Sequence, residues 1–225
     1  MLSNDPIILF HSPQSRSAAT RTLLEELGAP YRLRILNMKM GEQRQAPYLA
    51  INPLGKVPAI HHRGALVTEQ VAIFLYLADL FPEMGLTPAL NDPRRGPYLR
   101  WMVYYAACYE PALVDRAMKR EQAPLAMSPY GAFDTMHDAI TGQLSKSAYF
   151  LGEDITAVDI LWGLALKWGA MFGILPANAI VADYVKRVTA RPAFAKVEAM
   201  DAELALGHEA EKARAAAAAQ EVAQR

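Results

Sequence analysis

A single cysteine among 225 residues, Cys108, excludes an internal disulfide, and without a CxxC pair there is no dithiol centre. The histidines, at 11, 61, 62, 137 and 208, follow no zinc-ligand spacing, so no structural metal is expected. Lys plus Arg and Asp plus Glu balance at 23 each, leaving no net field to hold nucleic acid or an anionic membrane surface. Apolar runs such as 71–78 and 160–166 stop well short of the ~18 residues of a membrane span. The opening MLSNDPIILF carries Asp5 and no basic residue before Arg16, unlike a secretory signal. A reducing, cytoplasmic setting is therefore expected. What the sequence does have is core material: 52% hydrophobic against 20% charged residues excludes disorder for most of the chain. At ~100 to 200 residues per domain, the length allows one large domain or two small ones.

Ile7 to Phe10, closed by the turn-prone HSPQS, reads as a buried strand. Helical spacing of Ala18, Ala19, Thr22, Leu23 and Leu27 follows, stopped by Gly28. In YRLRIL, apolar and basic residues alternate as in a strand with one wet face. After the Asn52-Pro53-Leu54-Gly55 turn come two short strands, 57–60 and 65–67, joined around Arg63-Gly64, and then an apolar helix from Thr68 to Phe81. The first 82 residues thus read as βαβ-ββα. Pro82, Gly85, Pro88 and Pro93 suggest a linker. Beyond it only helical patterns recur, near 92–122, 128–146, 156–172, 178–190 and 193–206. Thr156 and Asp159 have capping-box spacing, and Ile155 with Ile160 that of a hydrophobic staple. Residues 208–225, Ala-rich and polar without an apolar stripe, read as a solvated or frayed helix. Three units are expected: 1–82, 92–207 and the tail 208–225.

The segments SPQSRSAATRTLLEELGAPY, NPLGKVPAI, TEQVAIFLYLAD, ITAVDI and VTARPAF, in this order, resemble the cytosolic glutathione S-transferase family over nearly the whole chain. The resemblance implies a thioredoxin-like α/β domain that binds glutathione, an all-α helical bundle supplying most of an electrophile pocket, and a homodimer. The apolar helix at 71–78 independently suggests a partner surface, since one small sheet can cover only one of its faces.

Glutathione is an anionic peptide, so an extended backbone can pair with it and a helix N-terminus can hold its carboxylate. Lys56-Val57-Pro58 resembles the family segment that does the pairing, with Pro58 implied to be cis. Glu69 and Gln70 fall at the helix start, Glu69 suited to the ligand's ammonium; Gln70 stands where the family usually has Ser. A hydroxyl aimed at the sulfur would favour the thiolate. Here Ser15, and after it Ser12, are the expected activators, because the position where the serine classes keep theirs holds Gln14. Ser15 can equally be read as a helix cap. With no Tyr or Cys in the loop, the tyrosine and cysteine classes are unmatched, which argues against a glutathione-dependent disulfide reductase; peroxidase or isomerase side activity stays compatible. Tyr105 and Tyr109 are implied in the electrophile pocket, while Cys108 reads as packing and Arg94, Arg95 and Arg100 as solvated or interfacial. Trp162, Trp168, Met171 and Phe172 read as core. The rival reading is a non-catalytic glutathione-binding or scaffold protein, supported by Gln14 and Gln70.

Overall fold

The computed structural model describes residues 6–223. Four strands form one mixed sheet in the order β2-β1-β3-β4: β1 Ile7–His11, β2 Tyr31–Ile35, β3 Ala59–His62 and β4 Ala65–Val67. β1 and β2 run parallel, joined by helix α1, Ser17–Glu26; β3 pairs antiparallel with both β1 and β4. Leu9, Ala59 and Ile60 are buried at the sheet centre, while β2 exposes Arg32 and Arg34, the wet face that alternation predicts. The β3–β4 hairpin turns on Arg63 and Gly64, both at positive φ, the signature of a type I′ turn whose twist matches the strands. A four-residue helix α2, Ala46–Leu49, brings Tyr48 against Phe10, Val57 and Ala59. Helix α3 spans Gln70–Leu80, two residues shorter at its start than expected. Its first bond, Ile73 N–H to the Glu69 carbonyl at 3.0 Å, makes Glu69 rather than Thr68 the N-cap residue.

The remaining helices are α4 Arg95–Tyr104, α5 Glu110–Ala117, α6 Phe133–Leu144, α7 Ala157–Met171, α8 Ala179–Thr189 and α9 Pro192–Ala223. The continuous 92–122 helix that the periodicity suggests is interrupted by a π-helical turn at Tyr105–Tyr109 and ends at Ala117. The chain packs as two units, residues 1–73 with 192–225, and residues 74–191. This partition cuts the sequence elsewhere than near 82–92 and returns α9 to the sheet.

In the helical unit Trp162 is enclosed by Trp101, Tyr105, Tyr109 and Phe150, with ring centroids 4.7–6.1 Å apart in the pairs these rings form. Its indole N–H donates to the Trp101 carbonyl, and a β-carbon on Gly163 would stand 2.5 Å from Val188, so α7 and α8 approach as closely as backbone allows. The apolar stretch does not stay buried to its end: Met171 and Phe172 are 62% and 67% exposed, because α7 stops there and its last turn leaves the ring cluster. Asp159 closes the expected capping box through its acidic half. Its carboxylate accepts from the backbone N–H groups of Thr156 and Phe150 and from the Tyr184 hydroxyl. Burial pushes its pKa up against those bonds.

The segment read as a frayed tail continues α9 without a break. His208 is buried, Asn37 donates to Glu211 at 2.7 Å, and Lys39 pairs with Glu209. Beyond these contacts the helix is exposed through Glu221. Its apolar stripe ends where its polar anchors to the 37–40 turn begin, which is why composition there looks solvated.

Candidate functional site

Three expected segments meet at one end of the sheet. The first is the loop from Ser12 to Arg16, between β1 and α1. The second is Val57-Pro58, whose peptide bond is cis, entering β3. Register pairs Phe10 with Ala59, which puts Val57-Pro58 at the same end of the sheet as the loop that follows His11. The third is the start of α3, where the Gln70 side-chain amide donates to the Arg16 carbonyl at 3.0 Å and ties that helix to the loop.

Val57 is fixed by its surroundings rather than by its own backbone bonds. Its side chain is buried against Phe10 and Tyr48, and the preceding Lys56 carbonyl accepts from the Tyr48 hydroxyl at 2.6 Å and the Asn52 amide at 2.9 Å. Among the described residues no hydrogen bond is made to the N–H or C=O of Val57. The Lys56 side chain is exposed. Glu69 is exposed and sits at φ +64°, a left-handed conformation that costs a non-glycine residue roughly 1–2 kcal/mol. Its carboxylate has no ion pair among the described residues, and as the N-cap residue Glu69 stands at the positive end of the α3 dipole.

The serine loop is held from inside. Gln14, exposed at φ +56°, turns the chain so that three hydroxyls gather behind it. Half-buried Ser15 Oγ lies 2.7 Å from both the Ser12 carbonyl and Ser17 Oγ, with one proton to give to either, and it accepts from the Ser17 N–H at 3.2 Å. Ser15 thus also does part of a cap's work, although Arg16 is the N-cap residue of α1. The Ser12 hydroxyl has no partner among the described residues. Ser17 Oγ lies 2.9 Å from His11 Nδ1, and His11 Nε2 lies 3.0 Å from Asp201 Oδ1 on α9. Arg21 donates to the same oxygen at 2.6 Å. His11, Ser17, Arg21 and Asp201 are all buried. Sequence reading passed over His11 and Asp201: a histidine closing a strand has no motif, and its partner stands 190 residues away.

Tyr105 and Tyr109 are buried within the helical unit, the Tyr105 hydroxyl donating to Glu110 at 2.7 Å and that of Tyr109 to the Ala165 carbonyl at 2.9 Å. Cys108 is half-buried, with Sγ 3.5 Å from the Pro129 carbonyl; burial raises its thiol pKa, the opposite of a reactive cysteine. Arg95 pairs with Asp79, Arg94 with Asp92, and Arg100 lies over the Trp101 ring at 4.2 Å. Among the described residues no His, Cys, Asp and Glu side chains gather as a metal site would need, and no helix is long and apolar enough to cross a membrane.

A βαβ-ββα sheet with a cis-proline entering its third strand, together with a helical unit, defines a thioredoxin-like fold extended by helices. Residues 5–79 match the model of the glutathione S-transferase N-terminal domain. The chain is 27% identical to glutathione S-transferase GstA of Escherichia coli O157:H7 over 189 residues, 82% of this chain and 93% of that protein. It is 28% identical to glutathione S-transferase APIC of Nicotiana tabacum over 212 residues, 84% and 96% of the two chains. A sphingomonad glutathione S-transferase solved in complex with glutathione superposes with a TM-score of 0.71 at 26% identity, over 87% of this chain and 98% of that one. The chain thus carries the glutathione S-transferase N-terminal domain and has the fold of the cytosolic glutathione S-transferases over most of its length.

Proposed function

We propose that the protein is a glutathione transferase that ionises the thiol of bound glutathione and delivers it to a small hydrophobic electrophile. The observation that carries this reading is the meeting, at one sheet end, of unbonded Val57 backbone, an unpaired acid at a helix start and a hydroxyl loop. Val57 offers both backbone groups to an extended peptide, as an added strand would use them. Glu69 suits the ligand's ammonium, and the α3 amides, Gln70 included, suit its α-carboxylate, with Lys56 nearby as a cation. A thiol of pKa ~8.5 is mostly protonated at neutral pH. Ser15, or Ser12, would donate to the sulfur and lower that value, its proton leaving to solvent. In displacement, the sulfur–carbon bond forms as the leaving group departs with its electron pair; in addition, the attacked carbon later takes a proton from water.

The division of labour proposed follows the sequence: residues 1–82 for glutathione, 92–207 for the electrophile with Tyr105 and Tyr109 backing its pocket, and 208–225 without a catalytic part. Homodimer formation is supported by Val71, Leu75, Tyr76 and Leu80, which stay partly exposed on α3 opposite buried Ile73, Phe74, Leu77 and Ala78. A cytoplasmic location accords with the single unpaired cysteine.

A second reading, a glutathione-binding protein without turnover, draws on the Ser15 proton being engaged inside the loop and on Gln14 at the family's serine position. Calorimetry with glutathione and a conjugation assay over a panel of halogenated and α,β-unsaturated electrophiles separate the two. Binding with turnover is expected, and Glu69→Ala should weaken affinity at least about tenfold, the loss of one charged hydrogen bond of about 1.5–3 kcal/mol. Binding without turnover selects the second reading. Unchanged affinity in a folded Glu69→Ala variant removes Glu69 from the site.

A further inference from the structure

The buried chain behind the serine loop has a direction. Asp201 Oδ1 already accepts from Arg21, and a carboxylate only accepts, so of the two one-proton tautomers of His11 only the one with its proton on Nε2 completes the bond to Asp201, and that tautomer presents a lone pair at Nδ1. The single Ser17 proton is then committed to Nδ1, 2.9 Å away. The Ser17 oxygen is left as an acceptor, taking the Ser12 backbone N–H at 3.1 Å and facing the Ser15 hydroxyl at 2.7 Å. The same three residue types serve elsewhere as an acyl-transfer triad, but Ser17 is 0% exposed and no carbonyl substrate could reach it.

We propose that His11 and Asp201 are positioning residues for thiol activation: Asp201, on α9, fixes the His11 tautomer, and the tautomer fixes Ser17 as an acceptor of the Ser12 amide and the Ser15 hydroxyl, which holds the loop with the Ser12 hydroxyl, the one that makes no inward bond among the described residues, directed to the sulfur. This rests on the glutathione reading above. The relay supplies preorganisation. Without it the Ser17 proton turns toward Ser15 or the Ser12 carbonyl, and the loop loses the acceptor that orients both its hydroxyl and its amide. It also gives α9 a part in chemistry carried out on the sheet, through contacts that periodicity and capping signals do not encode.

The test combines nitrogen-15 NMR of the His11 ring with ultraviolet titration of bound glutathione thiolate and steady-state kinetics. In the wild type, the ring should appear as the Nε2–H tautomer. Ser17→Ala, the smallest change, should raise the bound-thiol titration by about half to one unit. It should lower kcat near pH 6.5 by about tenfold, with KM for glutathione moving much less. Asp201→Asn should shift the titration the same way and redistribute the ring tautomer; if it does not fold, Ser17→Ala carries the test. Lys196→Met, which cuts a different α9 contact, should lower stability and leave the titration where it was. An Nδ1–H ring in the wild type overturns the relay, and so does an unmoved titration in folded Ser17→Ala. A wild type that binds no glutathione overturns the functional reading and the role with it, while the ring tautomer still reports on the relay by itself.

Discussion

The two units bury polarity in opposite ways. In residues 74–191 the centre is aromatic, and the polar atoms that find partners there do so one at a time: the Trp162 and Tyr109 donors each find a backbone carbonyl, and Asp159 gathers donors around one carboxylate. In residues 1–73 with α9, buried polar side chains are strung together, from Arg21 and Asp201 through His11 to Ser17 and Ser15. Isolated satisfaction stabilises a fold and leads nowhere. A string of donors and acceptors that runs from a core carboxylate to a half-exposed hydroxyl can transmit orientation, and it ends where the segments proposed to hold glutathione converge. Polar groups cost free energy to bury in either place, so the linear arrangement marks the unit in which chemistry is proposed.

The largest expected effect tests the aromatic side. Trp162→Ala should cost about 3–5 kcal/mol, seen as a lower midpoint in chemical denaturation, and the His11 tautomer should be unchanged in the folded protein. A disturbed ring would mean that the two styles of burial are coupled. Next, Arg21→Met should cost about 3 kcal/mol by leaving Asp201 a buried acid without its cation. Unlike Trp162→Ala, it should also perturb the bound-thiol titration; stability lost with the titration intact would reduce the string to a scaffold.

The smallest effect lies at the outer end of the α1–α9 contact. Burial raises the Glu25 carboxyl, but hydrogen bonds from Lys196 and Tyr31 outweigh it and leave its pKa below the ordinary 4.5. A depressed acid stabilises the fold above its unfolded value and stops doing so as pH falls through the folded one. Acid below about pH 4.5 should therefore weaken the wild type by up to about 1 kcal/mol more than Lys196→Met, in which that dependence should flatten. Equal slopes in pH-dependent denaturation would rule this contact out as an acid-labile one.

What could be read from the residues was local. Alternation found β2, turn chemistry found Arg63-Gly64, and spacing found the Thr156–Asp159 cap, because each depends on neighbours within a few positions. The cis Val57–Pro58 bond came from resemblance, since proline alone predicts trans. Of the three hydroxyls in the loop, sequence weighed Ser15 and Ser12. The structure shows Ser15 bonded inward and Ser17 at the centre of the contacts. Asp201, on a helix whose pattern gives no reason to send it back to the sheet, needed coordinates to be found. Helix ends were misjudged where exposure overrules composition, as at Met171 and Phe172.

The return of α9 also sets an order of assembly. His11 must wait for a partner 190 residues further along the chain, and at ~5–20 residues per second a ribosome takes roughly 10–40 s to make that stretch. Through that interval the βαβ-ββα segment can pair its strands, but it cannot bury His11 and Arg21 with their acid. The sheet is complete in outline long before its serine loop can be held in place, so a nascent chain would acquire its shape first and the proposed thiol-activating arrangement only after α9 has docked.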